Sequence, residues 1–206
     1  MFKFTKTILK ISLIAFFINP NSLLANELCD NALLFANELT DNTIEILNSN
    51  ELTNNQKKTQ ISELLTINVD FTTMGKIMLG KYARKINEEQ ELLYYKIIEK
   101  MVSKTIYDRL ETNDDPDIIY SISNNNCREK GSKGKEFLVD GDVMKNNSRL
   151  ASIRWWLILN KDNEYKVVDL NLAGLSLTLQ KKEEFTSYLS NKSIDMLIAD
   201  LSKKFN

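Results

Sequence analysis

Apolar residues recur at helical spacing through the first half of the chain and at alternate positions through much of the second. Leu28, Leu34, Phe35, Leu39, Ile46 and Leu47 predict a helix over about residues 27–47. Thr53-Asn54-Asn55-Gln56 fits a capping box, hydroxyl to the third backbone N–H and Gln side chain reaching back, at the start of a second helix. Asp70 is placed to cap a third, whose one face carries Phe71, Met74, Ile77 and Met78. Gly80 ends or bends it. Asn87-Glu88-Glu89-Gln90 repeats the capping pattern, with acids in the turn where the helix dipole favours them. From there Leu93, Ile97, Ile98, Met101, Val102, Thr105 and Ile106 form a stripe that continues to Leu110 and stops at Asn113-Asp114-Asp115-Pro116.

The period then changes. Ile118, Tyr120 and Ile122 alternate with Ile119, Ser121 and Ser123, and Phe137, Val139 and Val143 alternate with Glu136, Asp140 and Asp142. A turn is expected at Lys145-Asn146-Asn147-Ser148. Residues 149–159 give the strongest strand, with Ala151, Ile153, Trp155, Leu157 and Leu159 on one face. Ser152, Arg154, Trp156 and Ile158 take the other. Trp155 is therefore assigned to core or pocket wall, and Trp156 to a place under a helix or at a partner surface. Asn160 to Asn163 predicts a hairpin turn, and residues 165–177 a long strand kinked at Gly174. Residues 179–204 return to helix. The expected fold is α+β: helices packed on a curved antiparallel sheet of about four strands.

The first 25 residues read as a processing signal: Lys3, Lys6 and Lys10, an apolar run from Ile11 to Ile18, Pro20, then Leu23-Leu24-Ala25 before cleavage. Residues 26–206 are then one exported domain. Losing three lysines and no acid leaves 24 basic against 28 acidic residues, a net charge of −4. That speaks against a nucleic-acid binder and against a polybasic membrane-surface protein. Cys29 and Cys127 can pair in an oxidising compartment, or remain two thiols, one on the first helix and one in a polar loop.

Composition removes further chemistry. The chain has no histidine, so Ser-His-Asp and Cys-His constellations and imidazole metal sites are excluded. Gly174-Leu175-Ser176 lacks the second glycine of a nucleophile elbow. Gly131-Ser132-Lys133-Gly134-Lys135 has the wrong spacing for a phosphate loop, and its cations read as a solvated hairpin tip. Asp114, Asp115 and Asp117 lack the pattern of a calcium loop. What remains is apolar surface, which suits either an ordinary core or a concave binding site.

Three ungapped blocks carry a resemblance. Leu79-Gly80-Lys81-Tyr82-Ala83-Arg84-Lys85-Ile86 with Glu89-Gln90, Val168 to Leu177 with Phe185 following, and Ser193 to Leu201 resemble, in order, three motifs of the MlaC family of periplasmic phospholipid-binding (toluene-tolerance) proteins. Ala83 stands where that family usually has Trp, Ala173 where it has Glu, and Lys181-Lys182 where it has Tyr-Arg.

The resemblance implies a cone-like fold related to the nuclear-transport-factor shape, with acyl chains held between helices and sheet. The helix pair bent at Gly80 would roof them. It also implies a monomeric ferry between an inner-membrane ABC transporter complex and an outer-membrane lipoprotein–porin complex, with phospholipid as ligand and no cofactor or metal. Lining residues expected on this reading are Met74, Ile77, Met78, Tyr82, Ile97, Met101, Trp155, Leu157, Val168, Leu170 and Leu172. Two rivals use the same scaffold. One is an enzyme with Asp140, Asp169 or Tyr82 as acid or base; the other is an adaptor with a filled core and no ligand.

Overall fold

The computed structural model describes residues 20–110, 120–131, 134–146 and 148–205. Residues 1–19, read above as part of a processing signal, the Asn113–Pro116 stop with Asp117, Ile118 and Ile119, and Ser132, Lys133 and Asn147 lie outside the described residues.

Helix α1 spans Pro20–Asn48. It turns Ala32, Ala36 and Leu39 inward, a spacing of four then three that makes one face, and small side chains let it lie close on the first two strands. Leu34 is outside this face and is exposed. Helix α2 (Asn54–Asn68) opens with the expected capping box at Thr53 and Gln56. Helix α3 (Phe71–Leu79) is capped by Asp70, whose carboxylate accepts from the Thr73 N–H at 2.8 Å and the Thr73 hydroxyl at 2.7 Å. Between these helices the Asp70 N–H donates to the Val167 carbonyl at 2.9 Å, tying the α2–α3 junction to the sheet.

Gly80 ends α3 at φ 55°, ψ −123°, a conformation only glycine adopts without strain. A 3-10 helix, Gly80–Arg84, follows. Helix α4 (Glu88–Leu110) then begins where Asn87 and Gln90 exchange side-chain and backbone hydrogen bonds of 2.9 and 3.1 Å. Its buried face is Tyr94, Ile97, Ile98, Met101 and Val102. Leu93, assigned to the stripe from sequence, is half exposed. The inward turn belongs to Tyr94, whose hydroxyl donates to the Gly75 carbonyl of α3 at 3.1 Å.

Five antiparallel strands follow in the order β1-β2-β3-β4-β5. They are β1 (Tyr120–Glu129), β2 (Glu136–Lys145), β3 (Ser148–Leu159), β4 (Tyr165–Leu172) and β5 (Leu175–Ser176). The register places Val139 opposite Trp155 and Phe137 opposite Leu157, and Trp155 opposite Leu170. These face the helices. Leu138, Asp140, Asp142, Arg154 and Trp156 face away. Two sequence expectations change here. Cys127 is on β1, not in a loop, and forms a disulfide with Cys29 of α1 at a Cα–Cα distance of 5.6 Å. The kinked strand is in fact a hairpin: Ala173 (φ 52°) and Gly174 (φ 85°) reverse the chain so that Leu172 pairs with Leu175.

Ser176 then caps α5 (Leu177–Leu189), and α6 (Ile194–Phe205) lays Leu197, Ile198 and Leu201 inward against α4. The inner face of the sheet is thus covered by α1 at β1 and β2 and touched by α2, α3 and α5 at β4. Helix α4 packs chiefly on α2, α3 and α6.

Candidate functional site

One apolar cluster joins helices to sheet. Of the expected lining residues, Met74 and Met78 of α3, Ile97 and Met101 of α4, and Trp155 and Leu157 of β3 are buried members of it. Tyr82, Leu170 and Leu172 are half-buried at its edge. The other two are placed apart. Val168 is fully buried but outside the cluster, at the irregularity where β4 gains a residue against β3; its carbonyl accepts from the Thr178 hydroxyl at 3.0 Å. Ile77 is half-buried and also outside.

Burial divides the cluster by what a ligand could touch. Met78 and Leu157 are 0 % exposed, and Met74 and Met101 are 1 %. A guest reaches these only if helices and sheet separate. Tyr82, Leu170 and Leu172 keep open surface as they stand. Methionine suits such a seam, because an unbranched thioether refills irregular space at low cost.

Sequence reading missed Tyr94, the largest fully buried side chain among the described residues. Burial first, then the neighbouring Tyr95, holds its hydroxyl far above the usual tyrosine range, so it stays a donor to Gly75. Its signal was the spacing Tyr94, Ile98, Met101, which keeps helical phase. Gly75 is required opposite it, since a β-carbon there would stand 2.9 Å from the Tyr95 ring and 3.0 Å from that of Tyr94.

The outer sheet face carries a polar stretch. Asp140, Asp142, Arg149, Ser152, Arg154 and Asn171 help line an open cleft of about 430 Å³. Asp140 is bonded to both Arg128 and Arg154. Burial would raise its pKa, but hydrogen bonds from Arg154 and Arg128, with their charges, prevail and hold the carboxyl below the usual range. Trp156 is on this face and half-buried. The Lys130 ammonium sits 3.4 Å from its ring centre, and its indole N–H donates to Glu136 at 3.0 Å.

Asp169 is 6 % exposed and serves the start of α5, accepting from the Ser176 hydroxyl at 2.5 Å and the Thr178 N–H at 2.9 Å. Ser176 in turn accepts from the Leu179 N–H. These groups do the work of a helix cap. Among the described residues, no cluster of acids and cysteines could hold a metal ion, and no helix is long and apolar enough to cross a membrane.

The helix-backed meander with its apolar seam is an architecture already known. A phospholipid-binding protein from Ralstonia solanacearum, solved in complex with a phospholipid, has a similar structure: TM-score 0.70 over 84 % of this chain and 95 % of that one, at 16 % identity. The MlaC protein family matches residues 37–203, and the chain belongs to that family. No match was found among curated proteins.

Proposed function

We propose that this protein is a non-catalytic periplasmic carrier of phospholipids. On this reading the leader is removed near Ala25, leaving a single domain over residues 26–206. It holds acyl chains in the seam between helices and sheet. It exchanges lipid with an inner-membrane ABC transporter complex and an outer-membrane lipoprotein–porin complex. The observation that carries this reading is the family match over residues 37–203. The Cys29–Cys127 disulfide suits an oxidising compartment.

The energetics favour a carrier over free diffusion. Each methylene moved from water into an apolar site gains roughly 0.8 kcal/mol, so two acyl chains do not cross an aqueous space unshielded. A bilayer offers the same shelter. Transfer between bilayer and seam is therefore near balance, and direction comes from the partner complexes. Met74, Met78, Tyr82, Ile97, Met101, Trp155, Leu157, Leu170 and Leu172 would line the seam, with the edge residues meeting the guest first.

Organic extraction of the purified protein followed by lipid mass spectrometry tests this. Diacyl phospholipid in roughly molar amount is expected. Folded protein that neither brings lipid from the cell nor takes it from vesicles overturns the reading and leaves the ligand-free adaptor.

A further inference from the structure

Whole-chain charge speaks against a polybasic surface, but it averages over a patch that the fold assembles from two distant segments. From Lys76 to Asn87 the chain carries Lys76, Lys81, Arg84 and Lys85 and no acid. All four are exposed. The fifth cation, Lys182, comes from α5 and lies across the bend: a β-carbon on Gly80 would stand 3.2 Å from Lys182 Cε. None of the five makes a salt bridge among the described residues, whereas Lys104, Arg128, Lys130, Arg149, Arg154, Lys166 and Lys181 all do. Glu183, Glu88 and Glu89 follow closely in sequence; all three are exposed, and none makes a salt bridge among the described residues.

An aromatic ring sits within this patch. Tyr82 has the Lys81 and Lys85 ammonium groups 5.2 and 5.5 Å from its ring centre, and the same side chain packs on the apolar cluster. A little further along, α4 exposes Leu92 and Leu93.

We propose that the Gly80 bend, with Lys76, Lys81, Arg84, Lys85 and Lys182, docks on anionic phospholipid bilayers. The patch is mostly lysine on flexible stems, with no acid holding the ammonium groups in place. A fixed carboxylate on a protein partner is better met by pre-oriented guanidinium forks. A diffuse negative surface needs only unpaired charge within a Debye length. Because Tyr82 belongs to both patch and cluster edge, docking here brings the edge of the seam to the membrane. That purpose rests on the carrier reading; the docking itself does not.

Co-sedimentation with vesicles tests it. The full chain should pellet with phosphatidylglycerol mixed into phosphatidylcholine, not with phosphatidylcholine alone, and high salt should release it. Each cation removed should weaken binding about five-fold. The K81E/K182E double variant should therefore bind more than about twenty-five-fold more weakly, while K203E/K204E, the same charge change on α6, binds like wild type. Wild type that ignores the phosphatidylglycerol vesicles overturns the proposal and points to an acidic protein as the occupant. Equal binding by K81E/K182E overturns it too. Lipid extracted from that double variant should match wild type; loss of cargo would assign the cations to the cargo site and overturn docking. Vesicle binding by a chain that never carries lipid would sink the carrier and leave docking standing.

Discussion

Asn124 Oδ1 accepts the Trp155 indole N–H at 3.0 Å, and the Asn124 amide nitrogen donates to Asn37 Oδ1 at 3.0 Å and Thr40 Oγ1 at 3.2 Å. One buried amide thus joins β1, β3 and α1. The glycine across from it, Gly141, is obligatory, because a β-carbon would meet the Ser123 carbonyl at 2.6 Å and Asn124 Oδ1 at 2.8 Å. Asn124→Ala should cost about 2–3 kcal/mol, since it strands the Trp155 donor inside the protein. Gly141→Ala should cost at least as much. Urea denaturation followed by tryptophan fluorescence measures both, and a cost below 1 kcal/mol for Asn124→Ala would deny the amide this role.

The Cys29–Cys127 bridge closes a loop with a sequence separation of 98. In the chain-entropy model such a crosslink contributes about 4–5 kcal/mol. The C29S/C127S variant should lose most of that in a denaturant series, and added reductant should lower the stability of wild type toward it while leaving the double variant unchanged.

Asp140 ties stability to pH. Its folded pKa is below the unfolded 3.8, so its contribution is fully present above that value and is lost as pH falls through the folded pKa. Between pH 6 and about pH 3 the wild type should therefore lose more stability than Asp140→Asn. Parallel curves for the two proteins would mean that the arginine contacts do not act on the fold.

Ala173 has φ 52° in a two-residue hairpin loop, where a left-handed alanine costs about 1 kcal/mol. Asn-Gly is the preferred pair for this turn. Ala173→Asn should raise stability by roughly 0.5–1 kcal/mol, read as a rise in denaturation midpoint with unchanged slope.

Probing the seam requires a residue that tolerates change. Leu157 is 0 % exposed at the centre of the sheet, and a charge there would unfold the protein before reporting on any guest. Leu172, half-buried at the end of β4, is the better test. Leu172→Glu should cut co-purifying lipid several-fold with a near-normal thermal transition. Undiminished lipid in that folded variant would remove Leu172 from the site.

Where local chemistry decides structure, sequence was a good guide. Both capping boxes, the Asp70 cap, the break at Gly80 and the alternation along Arg149–Leu159 form as their patterns predict. Two misreadings share a cause: tertiary contacts overrode propensity. The polar run before Cys127, where a loop was one of the two readings, is strand because α1 and Trp155 satisfy Asn124. Tyr94 displaced Leu93 from the core because Gly75 makes room for its ring. Of the expected lining residues, most came together, since helical phase and strand alternation set which side chains turn inward. Val168 did not, because an extra residue on β4 breaks that alternation locally. Lys182 beside Gly80 was invisible, since nothing local links residues so far apart.

The covalent link between α1 and β1 also sets an order of events. A ribosome makes Cys29 long before Cys127, so the earlier thiol has no mate while the next 98 residues are added. The N-terminal helix can be bolted down only once well over half the chain exists. With two cysteines in the chain, Cys29 has a single intramolecular mate, so closing the bolt takes an oxidant and no sorting among alternative pairings.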